Sequence, residues 1–192
     1  MIKVFDSLQE RKLKKEQSDR NFLLTIALIM TIIFVVVLLN TYVFFNVQVV
    51  GDSMNPTLTT GDLLVANRKS DVKIGDIVII EGEKGEAWLI KRVIAREGQT
   101  VKISGGYVYV DGEKLDEPYV IKDGATNAID WEDRTLESGE IFYLGDNRIN
   151  SSDSRTERYG TCTEEQIVGV IEDWSLAFKG FRGRLHGTLK GD

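Results

Sequence analysis

The sequence predicts a mainly β protein: one N-terminal transmembrane helix, then an antiparallel β-sheet core with a small inserted β lobe. Three observations carry that reading. Residues 22–45, "FLLTIALIMTIIFVVVLLNTYVFF", contain no charged side chain. Beyond them the apolar residues recur in short alternating runs and not at helical spacing. Between those runs stand Gly, Asp, Asn and Ser, which turn a chain sharply.

The elements follow in order. Residues 1–21 form a charged segment in which "LKKEQSDR" suits a short amphipathic helix. Residues 22–45 are the anchor: a helix of that length rises about 36 Å, enough to cross a hydrocarbon layer of roughly 30 Å with some tilt. The run exceeds the h-region of a cleaved signal peptide and no small-x-small site follows it, so it is expected to remain in place. The first 20 residues hold six basic groups and four acidic ones, and no Lys or Arg then appears until Arg68. The positive-inside rule places the N-terminus in the cytoplasm and the rest outside, as a single-pass protein of the cell membrane.

After the anchor come the strand candidates "NVQVVG", "DLLVANR", "DIVIIEG", "AWLIKRVIAR", "TVKIS", "YVYVDG", "EIFYLGD" and "QIVGVIEDW". "SGG" at 104–106 and "DGEK" at 111–114 are hairpin-turn signals. Residues 99–138, rich in turns and acidic groups, read as a lobe inserted between two halves of a core, 46–98 and 139–180. Residues 181–192 are a polar tail.

Composition excludes several functions. With 24 Lys+Arg against 30 Asp+Glu, the chain has a net charge of -6 and offers no concentrated basic face for nucleic acid. Subtracting the N-terminal groups leaves 18 basic and 26 acidic residues in the part placed outside. Cys162 is the one cysteine and His186 the one histidine, so neither an internal disulfide nor a Cys/His metal cluster is expected. His186 lies in the tail "GRLHGTLKGD", a poor place for a catalytic triad member.

The stretch "GDSMNPTL", residues 51–58, puts Ser53 between a glycine and a proline turn. A serine hydroxyl needs a base to become a nucleophile. In "EAWLIKRVIAR" strand alternation sets Lys91 on one face with Ala87, Leu89, Val93 and Ala95, and Arg92 on the other with Trp88, Ile90, Ile94 and Arg96. A lysine in an apolar row is either an edge-strand residue whose stem snorkels to water or a desolvated amine that can act as a base. The absence of a usable histidine favours the second, since Ser-Lys pairs are a known variant. "GDNRINSSDSR" at 145–155 gathers Asp, Asn, Arg and Ser on one loop, where Asp153 and Arg155 can form a charge-assisted pair.

These residues resemble the type I signal peptidases, membrane-bound serine proteases that remove signal peptides. The resemblance spans most of the chain in order: an N-terminal anchor, "SMNPTL", "GDIVII", "IKRVIA" and "GDNRINSSDSR". It implies Ser53 as nucleophile, Lys91 as general base and Ser151 as the serine that hydrogen-bonds the lysine. It further implies that Asp146, Asp153 and Arg155 hold the last motif in shape, with Ser152 and Ser154 supportive at most.

The implied substrates are preproteins leaving the secretion translocon, cut after Ala-x-Ala-type ends, with no cofactor and a monomeric enzyme. Two departures stand out. Ala95 and Arg96 replace a smaller, less charged turn, and Gly51 replaces a serine that in some members stabilises the oxyanion, leaving that task to backbone N–H groups such as Ser53's. Independently of the family, Ser53 is eight residues past Phe45, under roughly 29 Å of extended chain from the bilayer. Two alternatives remain: a non-catalytic anchored β domain, or another Ser-Lys protease.

Overall fold

The computed structural model describes residues 2–82, 87–121, 126 and 131–177. The 181–192 tail, with His186, lies outside them. By contact the chain divides at Val43–Phe44 into two units.

The first unit is α1 (Ile2–Tyr42), one continuous helix, so the expected short helix is its N-terminal part. From Arg11 to Tyr42 it is long and apolar enough to cross a membrane, and none of its most apolar window is buried in protein. The polar side chains Thr25, Thr31, Asn40 and Thr41 each donate to the carbonyl four residues back at 2.8–2.9 Å. That returns hydrogen-bonding groups to the helix, as a hydrocarbon surrounding requires. The helix stops three residues short of the apolar run, because Phe44 and Phe45 enter a strand.

The second unit holds two antiparallel sheets. The larger runs in the order β1 (Phe44–Gln48), β2 (Leu63–Asn67), β10 (Ile167–Ile171), β3 (Ile77–Ile80), β4 (Leu89–Arg96) and β9 (Ile141–Leu144). The smaller runs β7 (Glu113–Lys114), β6 (Tyr107–Val110), β5 (Thr100–Ser104), β8 (Trp131–Thr135). Asp111 and Gly112 both take positive φ, the geometry that lets β6 and β7 pair across a tight turn. β7 and β8 carry no apolar alternation in "EK" and "WEDRT", which is why the sequence reading lacks them.

The residues of "IVII" in β3 are all buried, since both faces of the large sheet are covered. Ile77 and Ile79 join one cluster with Met54, Leu58 and Ala66; Val78 and Ile80 join another with Val93, Tyr143 and Cys162. A third cluster packs Ile94, Ala95, Phe142 and Leu144 against Val101, Ile103 and Val108 of the small sheet. The β4–β9 register shifts between Val93 and Ala95. This bulge corrects the expected alternation: Ala95 leaves the row of Lys91 and joins Ile94 in the third cluster.

Candidate active site

Ser53 lies in a loop whose ends are clipped together. Val49 N donates to Asp62 O and Gly61 N to Val49 O, both at 2.9 Å. Inside the loop, the Thr60 hydroxyl bonds both the N–H and the C=O of Gly51 at 3.0 Å. Gly51 is at φ +93°, a conformation that favours glycine and would strain a serine. Met54 and Leu58 plug the loop into the first core cluster. Ser53 is thus held between buried anchors.

Lys91 enters from β4, opposite Val78 of β3. It is 3% exposed, and its strand neighbours Leu89 and Val93 pack in the same cluster as Val78. Its Nζ donates to Ser53 Oγ at 2.8 Å and to Ile90 O at 3.1 Å. Burial pushes its pKa down from 10.5 to about 8; Asp153 pulls it back up, Arg155 presses it down, and Asp146 raises it slightly. The shift corresponds to about 3 kcal/mol against the ammonium form. At pH 7 roughly a tenth of the molecules therefore hold a neutral amine beside the serine.

Around the pair stands an ionic frame. Asp146, fully buried, accepts from Arg92 Nε at 2.8 Å and Nη2 at 2.7 Å, while Arg92 Nη1 donates to Gly75 O at 2.7 Å. Asp153 accepts from Arg155 Nε at 2.7 Å and Nη2 at 2.9 Å, and from Gly145 N at 3.0 Å. The 145–155 loop also grips the Ser53 loop directly. Asn147 N donates to Ser53 O, and Asn147 Nδ2 to Asp52 O, each at 3.0 Å. At Gly145 the approach is so close that a Cβ would meet Ser151 Oγ at 2.3 Å and Ser53 O at 2.4 Å. Only glycine fits there.

The expected hydrogen bond between Ser151 and Lys91 is not formed. Ser151 Oγ is buried against Gly145 without a partner among the described residues, because Lys91 directs its donors to Ser53 Oγ and to its own strand's carbonyl. Ser154 supports the loop through Tyr143 N, which donates to its Oγ at 3.0 Å. Three participants escaped the sequence reading. Alternation sets Arg92 on the face opposite Lys91 without a role, Arg148 stands in "GDNRINSSDSR" with none assigned to it, and Glu117, which pairs with Arg148, has no local pattern to mark it. The adjacency of Lys91 and Arg92 in a buried strand was the available signal.

An apolar groove of about 340 Å³ runs past the pair, between residues 47–51 and 87–91. A larger cavity of about 600 Å³, bordered by Arg96, Glu97 and Glu164, lies elsewhere and touches neither Ser53 nor Lys91. Among the described residues no group of three His, Cys, Asp or Glu side chains could hold a metal ion.

Comparison with known proteins identifies the family. The family described as signal peptidase, peptidase S26, matches residues 22–174. Signal peptidase I T of Bacillus subtilis (strain 168) is 36% identical over 144 residues, covering 69% of this chain and 74% of its own. A signal peptidase I of Bacillus caldolyticus is 37% identical over 166 residues, 77% of this chain and 87% of its own. The crystal structure of a signal peptidase I from Enterococcus faecalis V583 covers 54% of this chain and 98% of its own, with a TM-score of 0.44 and 25% identity.

Proposed function

From the premise that this chain belongs to the signal peptidase family, peptidase S26, we propose that Ser53 and Lys91 form the dyad with which it works. The chain is a serine peptidase, a hydrolase that cleaves signal peptides. One observation carries the assignment of its residues: a buried lysine with a pKa near 8 donates to the serine Oγ at 2.8 Å.

The neutral amine takes the Ser53 proton as Oγ attacks the scissile carbonyl. The Ser53 N–H faces the developing oxyanion. The resulting ammonium gives its proton to the leaving amine, and an ester remains on Ser53. Lys91 then accepts a proton from water, whose oxygen attacks the ester; as the acyl–Oγ bond breaks, the ammonium returns that proton to Ser53 Oγ and the carboxyl product leaves. Asp146, Asp153 and Arg155 hold the loop that locks Ser53 against β4, and Ser151 borders the same space.

The substrate enters as an extended segment of a preprotein along the 47–51 and 87–91 groove and is cut after Ala-x-Ala-type residues. The N-terminus is cytoplasmic, residues 46–98 with 139–180 form the catalytic core outside the membrane, and 99–138 are its inserted lobe. Chain length supports this placement: Ser53 is eight residues past the apolar run, so it stays near the bilayer that holds its substrate.

The test is cleavage of a preprotein by the full chain in detergent. Ser53→Ala and Lys91→Ala each abolish cleavage, and the double variant is little worse than either, since the two act as one unit. His186→Ala keeps activity. Cleavage surviving Lys91→Ala but lost with His186→Ala would sink the assignment.

A further inference from the structure

A second set of contacts reaches the catalytic loop from the segment between β7 and β8. Arg148 follows Asp146 and Asn147 in the loop, and its side chain is fully buried. Its Nε donates to Gly145 O at 2.9 Å, across the tight point where Gly145 meets Ser53 O. Its two terminal nitrogens are taken by Glu117, at 2.9 and 2.6 Å, and Nη1 also reaches Thr126 Oγ1 at 3.1 Å. Arg148 O in turn accepts from Arg155 Nη1 at 2.7 Å.

Tyr119 completes the arrangement. The Arg92 guanidinium lies 4.1 Å from its ring centroid and that of Arg148 5.9 Å, so one aromatic ring is in reach of both cations. Its hydroxyl donates to Glu117 Oε1 at 3.3 Å. The cluster then holds three guanidiniums (Arg92, Arg148, Arg155) and three carboxylates (Asp146, Asp153, Glu117). Glu117 is the member that comes from outside the catalytic core. Without it Arg148 would be a buried cation with no counter-charge, and it would be drawn towards Asp146 or Asp153, breaking the pairs that shape the loop.

We infer that Glu117 and Tyr119 are positioning residues for peptide cleavage: through Arg148 and Arg92 they fix the Gly145–Asn147 turn that holds Ser53 in line with Lys91. The small lobe is then a working part of the catalytic centre. This inference rests on the Ser53–Lys91 assignment, and the two fail separately. Loss of the assignment shows as cleavage surviving Lys91→Ala, while loss of the inference shows only in the lobe variants.

The experiment measures kcat and KM for a preprotein with the full chain in detergent, well below each variant's unfolding temperature. Glu117→Ala lowers kcat about 10–100-fold with KM changed less than about threefold, because misplacement of the order of 1 Å near the reacting atoms costs rate and not binding. Glu117→Gln, which keeps an acceptor for Arg148, recovers part of that rate. Tyr119→Leu lowers kcat, and Tyr119→Phe, which keeps the ring, stays near wild type. Asp133→Asn, in an exposed pair with Lys102 on the same small sheet, changes nothing. Wild-type kcat in folded Glu117→Gln and Tyr119→Leu, or a loss confined to KM, overturns the inference; these two variants decide the matter if Glu117→Ala does not fold.

Discussion

Lys91 and Arg92 are neighbours on β4, yet they meet opposite surroundings, and their pKa values move in opposite directions. Lys91 is buried with no carboxylate paired to its Nζ among the described residues, and burial lowers its pKa to about 8. Arg92 is also drawn out of water, which works against its charge, but the hydrogen bonds and charge of Asp146 outweigh that and raise its pKa. The difference teaches how one strand can supply both the proposed base and a brace for it. Desolvation alone makes a lysine titrate within reach of neutral pH; desolvation with a bidentate partner makes a permanent cation. Arginine suits the frame because it stays protonated, and lysine suits the proposed chemistry because it can give up its proton near pH 8.

The contrast can be broken most forcefully on the arginine side. Asp146→Asn leaves Arg92 buried without its counter-charge and should destabilise the fold by ~3–5 kcal/mol, measured by denaturant unfolding followed through tryptophan fluorescence. A loss under about 1 kcal/mol would mean that water already screens the pair.

On the lysine side the sign reverses. Lys91→Met keeps the volume and removes a group whose folded pKa is depressed, so the inactive variant should be more stable at pH 7 by up to ~3 kcal/mol. The unfolded chain binds the extra proton between about 8 and 10.5, so wild-type stability rises with pH through that window. The advantage of Lys91→Met is therefore full below pH 8 and fades by about 10.5. Destabilisation at pH 7 would contradict a desolvated amine.

The finest adjustment concerns the wall of the lysine site. The kcat/KM profile should rise through about pH 8 as Lys91 loses its proton. Val93→Thr brings a hydroxyl into that wall and should move the limb up by about half a pH unit, equivalent to ~0.7 kcal/mol. A limb that ignores this change belongs to another group.

The same contrast explains what the sequence disclosed. Strands with one apolar face, such as "TVKIS", and buried runs such as "IVII", announced themselves through periodicity. "WEDRT" did not, because it pairs with β5 through its backbone while its residues are mostly charged. Ser53 and Lys91 were legible because each is an anomaly in its own stretch: a serine in a glycine–proline turn, a lysine in an apolar row. Arg148 and Glu117 are 31 residues apart, and neither is anomalous where it stands. Their pairing exists only once the lobe has folded against the loop. Ser151 was legible as a loop serine, but its unmet hydroxyl follows from the Gly145 contact, which no spacing encodes.

Cys162 has a consequence for the bench. The thiol is buried beneath Tyr143 and Ile141, and burial pushes its pKa up to about 12, so it stays protonated and shielded at neutral pH. The native chain is therefore close to silent towards maleimide reagents. A cysteine introduced at Ala87, on the groove rim, would be the one fast-reacting thiol on the folded protein. A fluorophore attached there would report peptide entering the groove without any native residue first having to be removed.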